Sequence, residues 1–245
     1  MQKVNASSDS LNSDLAVYLE RKLAEFAAGI GHELNNPLAS IGGRVQLLMK
    51  TTSDERLRRD LSEICSEVKR AGDLIADIRL YACPPAPVME NVNVTKLLQD
   101  VVDSFSSQCS EKNICLKFSK RLSDPIIKAD YSQMNVLFSA LIRNSMEALE
   151  NDSREFDKRI VVSIELADKD VAITVADNGP GMTDEEKEHA FDPYYSARQA
   201  NRGLGFGLCK AQKIAQLHGS AITIDSVLGK GTQISVTFQR IDVLP

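Results

Sequence analysis

Apolar residues recur at Leu15, Leu19, Leu23, Phe26, Ile30, Leu34, Ile41, Val45 and Leu48, in steps of three, four and seven. That spacing draws one stripe along an amphipathic helix, predicted from about Asp14 to Lys50. Thr51-Thr52-Ser53-Asp54 interrupts the stripe, and Thr52 with Glu55 has the spacing of a capping box. Beyond the turn, Leu57, Leu61, Ile64, Val68, Ala71, Ile75, Ile78 and Ala82 alternate steps of four and three, a heptad seam. Upstream, residues 1–13 are rich in Ser, Asn and Asp and are expected to be a disordered N-terminus. Downstream, Cys83-Pro84-Pro85-Ala86-Pro87 stops the second helix and opens a short, stiff linker over residues 84–91.

From residue 92 the period changes, and residues 92–245 are predicted as an α+β domain. Helices are expected over Thr95 to Ser107, Asp130 to Leu149 and about Gly207 to His218. Strands are expected over Ile114 to Ser119, Ile160 to Ala167, Val171 to Ala176, Ala221 to Ser226 and Thr232 to Gln239. Residues 180–202 look like a polar loop. Asp130 and Gln133 fit an N-terminal capping pair. Within that helix Leu137, Leu141, Asn144 and Ala148 share a face, and a buried amide without a partner costs about 1–3 kcal/mol. Asn144 therefore needs either a structural hydrogen bond or a ligand. The hairpin of residues 14–83 has a similar need, because two amphipathic helices cannot bury their stripes alone. It can pair with a second copy as a four-helix homodimer, or pack on the second domain.

Composition narrows the classes. At 245 residues one large or two modest domains are expected, and 43% hydrophobic content is enough for real cores. Net charge is -5, from 34 acidic and 29 basic residues, which speaks against binding nucleic acid or an anionic membrane. No apolar run is long enough to span a bilayer and no signal-peptide pattern opens the chain, so a soluble, cytoplasmic protein is expected. The five cysteines are scattered, with no Cys-x-x-Cys pair, and with His189 and His218 they are too dispersed for a disulfide scaffold or a zinc site.

Candidate chemistry begins at His32. It lies two residues from both Ile30 and Leu34, so the helical period points its imidazole away from the stripe. Asn36 is one turn along the same face, Glu33 is its neighbour, and Pro37 is expected to kink the helix. A lone surface histidine would carry little meaning. Phe26-Ala-Ala-Gly-Ile-Gly-His32-Glu33-Leu-Asn35-Asn36-Pro37-Leu38, however, closely resembles the phosphoacceptor box of the sensor histidine kinases of two-component systems. The resemblance implies that His32 takes the γ-phosphoryl group of ATP and that Glu33 orients the imidazole and accepts its proton. It further implies that Asn36 holds a water for dephosphorylating a partner regulator.

The second domain carries matching motifs. Leu141-Ile-Arg-Asn144-Ser-Met-Glu147-Ala148 resembles the N box of the ATPase superfamily of histidine kinases, gyrases, mismatch-repair and heat-shock chaperone ATPases, in which Asn144 would ligate Mg²⁺ on the triphosphate. Where hydrolytic members place a Glu one turn earlier, this chain has Ala140. Val171-Ala-Ile-Thr-Val-Ala-Asp177-Asn-Gly179-Pro-Gly181 resembles the adenine-reading turn, with Asp177 on the exocyclic amine and Gly179 and Gly181 allowing close approach. Phe191-Asp-Pro193-Tyr194-Tyr195-Ser-Ala-Arg198 is similar to the F box, which makes Arg198 and Arg202 either phosphate-reaching lid residues or solvated arginines. Gly203-Leu-Gly205-Phe-Gly207-Leu208 is similar to the phosphate-holding glycine box, with Leu204 in place of the usual Thr. Gly229-Lys-Gly231-Thr232 matches the last glycine box, near the adenine.

Taken together, the resemblance implies an all-α helical hairpin, forming a dimeric four-helix bundle. An α+β two-layer sandwich ATP-binding domain of the gyrase and histidine kinase superfamily follows it. It implies a protein histidine kinase using ATP and Mg²⁺, with transfer from His32 to an aspartate of a response-regulator receiver domain. A sensor partner or an upstream sensor domain would supply the signal. Two alternatives stay open: a pseudokinase in which ATP only sets conformation, and a superfamily kinase that phosphorylates serine on a partner.

Overall fold

The structure, a computed structural model, describes residues 5–119, 124–154, 156–195 and 205–241. In the first helix most side chains up to residue 32, including that of His32, lie outside the described residues. The chain divides into two units, Met1–Pro85 and Ala86–Pro245.

The first unit is a hairpin of α1 (Asn5–Thr51) and α2 (Glu55–Ala82). The helix reaches back to Asn5, whereas the polar composition predicts disorder through residue 13. Once a helix is nucleated, adding residues costs little, so a polar run does not by itself end it. Nor does α1 end at Pro37, which lies inside it. The cap of α2 also differs from the expected Thr52–Glu55 box. Asp54 caps it, its carboxylate accepting from the N–H groups of Arg56 at 2.8 Å and Leu57 at 3.3 Å. Thr52 Oγ1 accepts from Asp54 N–H instead. A charged acceptor directly at the positive end of the helix outcompetes a hydroxyl two residues upstream.

Two glycines of α1 face α2, with room for no more than a methyl group. A Cβ at Gly31 would lie 3.6 Å from Ile75 Cγ2, and one at Gly42 would lie 3.5 Å from Val68 Cγ1. Ala27, Val45, Leu61 and Ile75 are buried between the helices, but Leu34, Ile41, Leu48, Leu57 and Ile64 remain 44–52% exposed. The hairpin alone leaves part of its apolar surface open.

The second unit runs β1 (Glu90–Asn93), α3 (Val94–Glu111), β2 (Cys115–Ser119), β3 (Ile126–Ala129), α4 (Tyr131–Glu150), β4 (Arg159–Ala167) and β5 (Asp170–Asp177). It continues through α5 (Asp184–His189), α6 (Gly207–Leu217), β6 (Ala221–Val227) and β7 (Gly231–Ile241). The strands form one sheet in the order β1-β3-β7-β5-β4-β2, with β6 also on β7; β2 and β4 are parallel and the other pairs antiparallel. Cross-strand ladders Val162–Val175–Ile234 and Ile164–Ile173–Val236 are buried on one face, beneath helices. The opposite face carries Thr174 and Ser235, joined by a hydroxyl pair at 2.9 Å. Helices α3, α4 and α6 pack on one another and on the sheet, giving the two-layer sandwich.

Three elements depart from the sequence pattern. β1 and β3 have four residues each, too few to display alternation, and β1 begins within the expected linker. The polar stretch after residue 180 contains α5, started by a capping box in which Thr183 and Glu186 exchange backbone and side-chain hydrogen bonds. The linker is also tied down. Val88 N–H donates to Asp130 Oδ2 at 2.8 Å, while Asp130 Oδ1 caps α4 through Gln133 N–H at 3.0 Å. Asp130 N–H donates to His218 Nε2 at 3.0 Å, and His218 Nδ1 lies 2.8 Å from the Ile214 carbonyl, which assigns the proton to Nδ1. Burial works to raise the Asp130 carboxyl, but the backbone N–H groups of Gln133, Val88 and Ser132 together carry it below its ordinary value.

Candidate functional site

β5 sets buried Val171, Ile173 and Val175 on one face, with half-buried Ala172 and buried Thr174 between them, and ends at Asp177, where the chain turns away from the sheet. The carboxylate of Asp177 accepts both from its own turn and from α4. Gly179 N–H reaches Oδ1 at 3.0 Å, and the Ser145 hydroxyl of α4 reaches Oδ2 at 2.9 Å. Ser145 is buried, so the carboxylate is oriented by the helix beneath it as well as by its own turn. An ionised carboxylate accepts only, which suits it to an N–H donor on a ligand. Asn178 fixes the same turn from the other side: its Oδ1 accepts from Arg159 N–H at 2.8 Å and its Nδ2 donates to the Asp157 carbonyl at 2.8 Å.

Backbone meets backbone around this carboxylate. Gly181 has φ +71°, and a Cβ there would lie 2.1 Å from the Val227 carbonyl oxygen. Gly231 has φ +120°, and its Cβ would lie 2.1 Å from the Asp177 carbonyl oxygen. Neither position has room for a side chain or a backbone shape that suits one. Gly229 N–H donates to the Pro180 carbonyl at 2.6 Å, closing the β6–β7 turn onto the 177–181 turn. Thr232 is the cross-strand partner of Asp177. Its buried hydroxyl lies 2.9 Å from that of Ser226, which donates to the Gly231 carbonyl at 3.0 Å; Thr232 is then the donor in the pair, and its oxygen keeps acceptor capacity.

Asn144 immediately precedes Ser145 and is half-buried on the same helix. One turn earlier, Ala140 is buried at 7% exposure and offers no titratable group. Across the domain, α6 begins at Gly207, and its cap residue Phe206 has no side-chain oxygen to offer the first-turn N–H groups. Such a helix start suits an anion. Gly205, at φ +71°, presses against Tyr194 and Tyr195, where a Cβ would lie 2.6 Å from backbone atoms. Tyr194 itself has φ +63° and sets its ring edge-on against Phe206 at 4.7 Å. His189 Nδ1 sits 2.7 Å from Asp192 Oδ2, and that hydrogen bond holds the imidazolium above the ordinary histidine value. Arg198 and Gly203, with Arg202 and Leu204, lie outside the described residues.

In the first unit, His32 belongs to the middle of α1, with its side chain outside the described ones. Glu33 and Asn36 are exposed, and Gly31 is buried against α2. The fold thus gathers Asn144, Asp177, Gly179, Gly181 and Thr232 around one end of β5, and Gly205 and Gly207 at the start of α6. The sequence pattern did not single out Ser145 or Asn178. Ser145 follows Asn144 directly, but no local spacing reveals that it reaches Asp177.

Two family models match. The His Kinase A (phospho-acceptor) domain covers residues 22–86, and the Histidine kinase-, DNA gyrase B-, and HSP90-like ATPase covers residues 129–242. Sporulation kinase E of Bacillus subtilis (strain 168) is 30% identical over 216 residues, covering 88% of this chain and 28% of that protein. Sporulation kinase C of the same organism is 30% identical over 216 residues, covering 87% and 48%. Sensor protein ChvG of Rhizobium meliloti (strain 1021) is 30% identical over 223 residues, covering 87% and 39%. The chain therefore spans about a quarter to a half of the length of these relatives. Among solved structures, full-length ShkA in complex with AMPPNP shares the fold with TM-score 0.77 at 21% identity, over 90% of this chain and 47% of that one. Histidine kinase ThkA in complex with response regulator protein TrrA does so with TM-score 0.65 at 21% identity, over 98% and 68%.

Proposed function

We propose that this chain, which belongs to the sensor histidine kinases of two-component systems, binds ATP in its second unit and phosphorylates His32 in its first. The phosphoryl group then passes to an aspartate on a response-regulator receiver domain. The observation that carries this reading is the Asp177 cradle, with its Ser145 and Gly179 donors, on a chain whose first unit matches the phospho-acceptor domain.

In this reading Asp177 accepts from the exocyclic amine of adenine, and the glycine-walled turns at Gly179, Gly181 and Gly231 flank the base. Gly205, Gly207 and the start of α6 face the phosphates, with Gly203 and Arg198 assigned there from the motif alone. The His32 ring nitrogen attacks the γ-phosphorus and the bond to the β-phosphate oxygen breaks. ADP leaves, and Glu33 takes the ring proton. Among the described residues no cluster of three or more His, Cys, Asp or Glu could form a protein-only metal cage. Mg²⁺ does not need one, since it keeps waters and substrate phosphates among its ligands. The amide oxygen of Asn144 fits the single protein ligand such an ion requires, and when bound Mg²⁺ supplies charge neutralisation on the phosphates. Buried Ala140 provides no base to activate water, which favours transfer to His32 over hydrolysis.

The exposed apolar positions on α1 and α2 support a homodimer that completes a four-helix bundle. Exposed Asn36 supports a second activity, dephosphorylation of the regulator. No helix among the described residues is long and apolar enough to cross a membrane, and the five cysteines are free; we assign the kinase core to the cytoplasm, with input from a sensor partner or an upstream sensor domain.

The test is incubation with Mg²⁺ and γ-labelled ATP beside the His32→Gln variant, followed by acid and alkali. Label that requires His32, is lost in acid and survives alkali supports the reading. Bound nucleotide without label points to a pseudokinase, and acid-stable label to a serine kinase.

A further inference from the structure

Arg154 lies in the connection between α4 and β4, outside every motif noted above, yet it makes more polar contacts than its exposed position suggests. Its Nε lies 2.9 Å from Asp152 Oδ1 and 3.0 Å from Oδ2, and Nη2 closes the fork on Oδ2. Its backbone N–H also donates to Asp152 Oδ1 at 3.0 Å. Asp152 is buried, and Lys158 Nζ donates to its backbone carbonyl at 3.1 Å, so the anchor is fixed in the loop. The guanidinium carbon stands 4.9 Å from the centre of the Phe156 ring. With Nε and Nη2 committed and one face packed, Nη1 is directed outward, and it donates to the Gly229 carbonyl at 2.8 Å.

Gly229 is the centre of the β6–β7 turn. Its N–H is bound to the Pro180 carbonyl, and on either side Val227 and Gly231 lie against Gly181 and Asp177. Gly229 itself has φ +81°, with nothing within 4 Å of its missing Cβ, so packing does not hold it in place. The turn closes on itself through Lys230 N–H to the Val227 carbonyl at 2.9 Å, and Gly229 at its tip is tied to its surroundings through its two peptide groups, one to Pro180 and one to Arg154. The loop that carries Arg154 also receives the Asn178 side chain at Asp157 and Arg159. One loop thereby fastens both turns that wall the Asp177 carboxylate.

We infer that Arg154 is a positioning residue for the nucleotide: oriented by Asp152, it holds the β6–β7 turn against the 177–181 turn and so sets the width of the base site. This rests on the ATP-binding reading above. The base is bound equally in the ground state and during transfer, so loosening its wall weakens binding and leaves the chemical step alone.

The test uses the full chain and its Arg154→Ala and Arg154→Lys variants. ADP affinity is measured by calorimetry, and autophosphorylation is followed over a range of ATP concentrations. Arg154→Ala is expected to raise the Kd for ADP and the KM for ATP by about tenfold with kcat unchanged. Arg154→Lys, which keeps the charge but lacks the planar fork, is expected to fall between Arg154→Ala and the parent. A purely structural role would lower the melting temperature without separating KM from kcat. Parent-like Kd and KM in Arg154→Ala overturn the proposal, as does a loss confined to kcat. Should Arg154→Ala not fold, a parent-like Kd in Arg154→Lys overturns it. If the parent chain does not bind ADP, the ATP-binding reading itself falls, and the proposal with it.

Discussion

Replacing Gly181 by alanine puts the backbone packing around Asp177 to a quantitative test, because Gly219 provides a matched control. Both glycines have left-handed φ, +71° and +66°. At Gly219 nothing lies within 4 Å of a new Cβ, so alanine there meets only the backbone penalty, about 1–2 kcal/mol. At Gly181 the Cβ falls 2.1 Å from the Val227 carbonyl oxygen, 2.7 Å from its carbon and 3.1 Å from Leu228 Cα. All three neighbours are backbone, so no side chain can rotate away, and the oxygen has to retreat to ordinary contact at about 3.4 Å. That movement pulls on the 2.6 Å bond from Gly229 N–H to Pro180. Overpacking of this kind adds roughly 1–3 kcal/mol to the backbone term. For a unit of this size each 1 kcal/mol shifts the melting temperature by roughly 2–4 °C. Gly219→Ala should thus lower the melting temperature by about 2–8 °C and keep parent-like ADP affinity. Gly181→Ala should fall clearly further and lose at least about tenfold in ADP affinity. Differential scanning calorimetry and titration calorimetry read the two effects. Equal melting temperatures for the two variants, with ADP affinity intact in both, would refute the packing argument.

Further outcomes follow from the same contacts. Ser145→Ala removes a donor to a charged acceptor, worth about 1.5–3 kcal/mol, so the Kd for ADP should rise roughly ten- to hundredfold; an unchanged Kd would show that the Ser145–Asp177 bond does not orient the carboxylate for the ligand. His189 is held above its ordinary value by the hydrogen bond to Asp192. Its contribution is therefore complete below the unfolded value and is lost as pH rises through the folded one. An NMR titration of His189 should show a midpoint above roughly 6.5 that falls back in Asp192→Asn, and a midpoint at or below that value removes the argument. Ile64 is 44% exposed within one chain, and burying that remaining share in a bundle is worth about 0.7–1.3 kcal/mol per protomer, so Ile64→Lys should shift the dimer toward monomer in sedimentation equilibrium without unfolding the hairpin. Unaltered self-association would place Ile64 outside the interface.

Elements with enough residues to show a period were legible. The hairpin, α4 and the strands β4, β5 and β7 carry five or more apolar positions or long alternations, and apart from the start of α1 their limits agree with the expectation to within a few residues. β1 and β3 were not, because four residues contain at most two turns of alternation and the pairing is supplied by β3 and β7 themselves. The α2 cap shows a different limit. Thr52 and Asp54 both lie within reach of the first turn, and only the φ/ψ of Asp54, at -78° and 113°, shows which one the chain presents to it. Toward the N-terminus α1 runs back to Asn5, beyond the apolar stripe, since a polar run reports the absence of a buried face and not the absence of helix.

The site divides along the same line. Motif residues near one another in the chain could be found, because Asp177, Gly179 and Gly181 form one turn and Asn144 sits on a helix whose period is visible. The polar pairs that hold those motifs in place join residues far apart. Ser145 meets Asp177 across 32 positions, Arg154 meets Gly229 across 75, and Asp130 meets His218 across 88. Periods of 2 and 3.6 describe only which neighbours in the chain share a face. Which serine stands under which carboxylate depends on strand order, and that order brings β7 between β3 and β5 although it is last in the chain. A single serine, arginine or histidine whose partner lies far along the chain therefore looks like ordinary surface or helix composition until the sheet is assembled. It is at those three long-range pairs that a substitution with no local signature should weaken the nucleotide site or the junction at Val88.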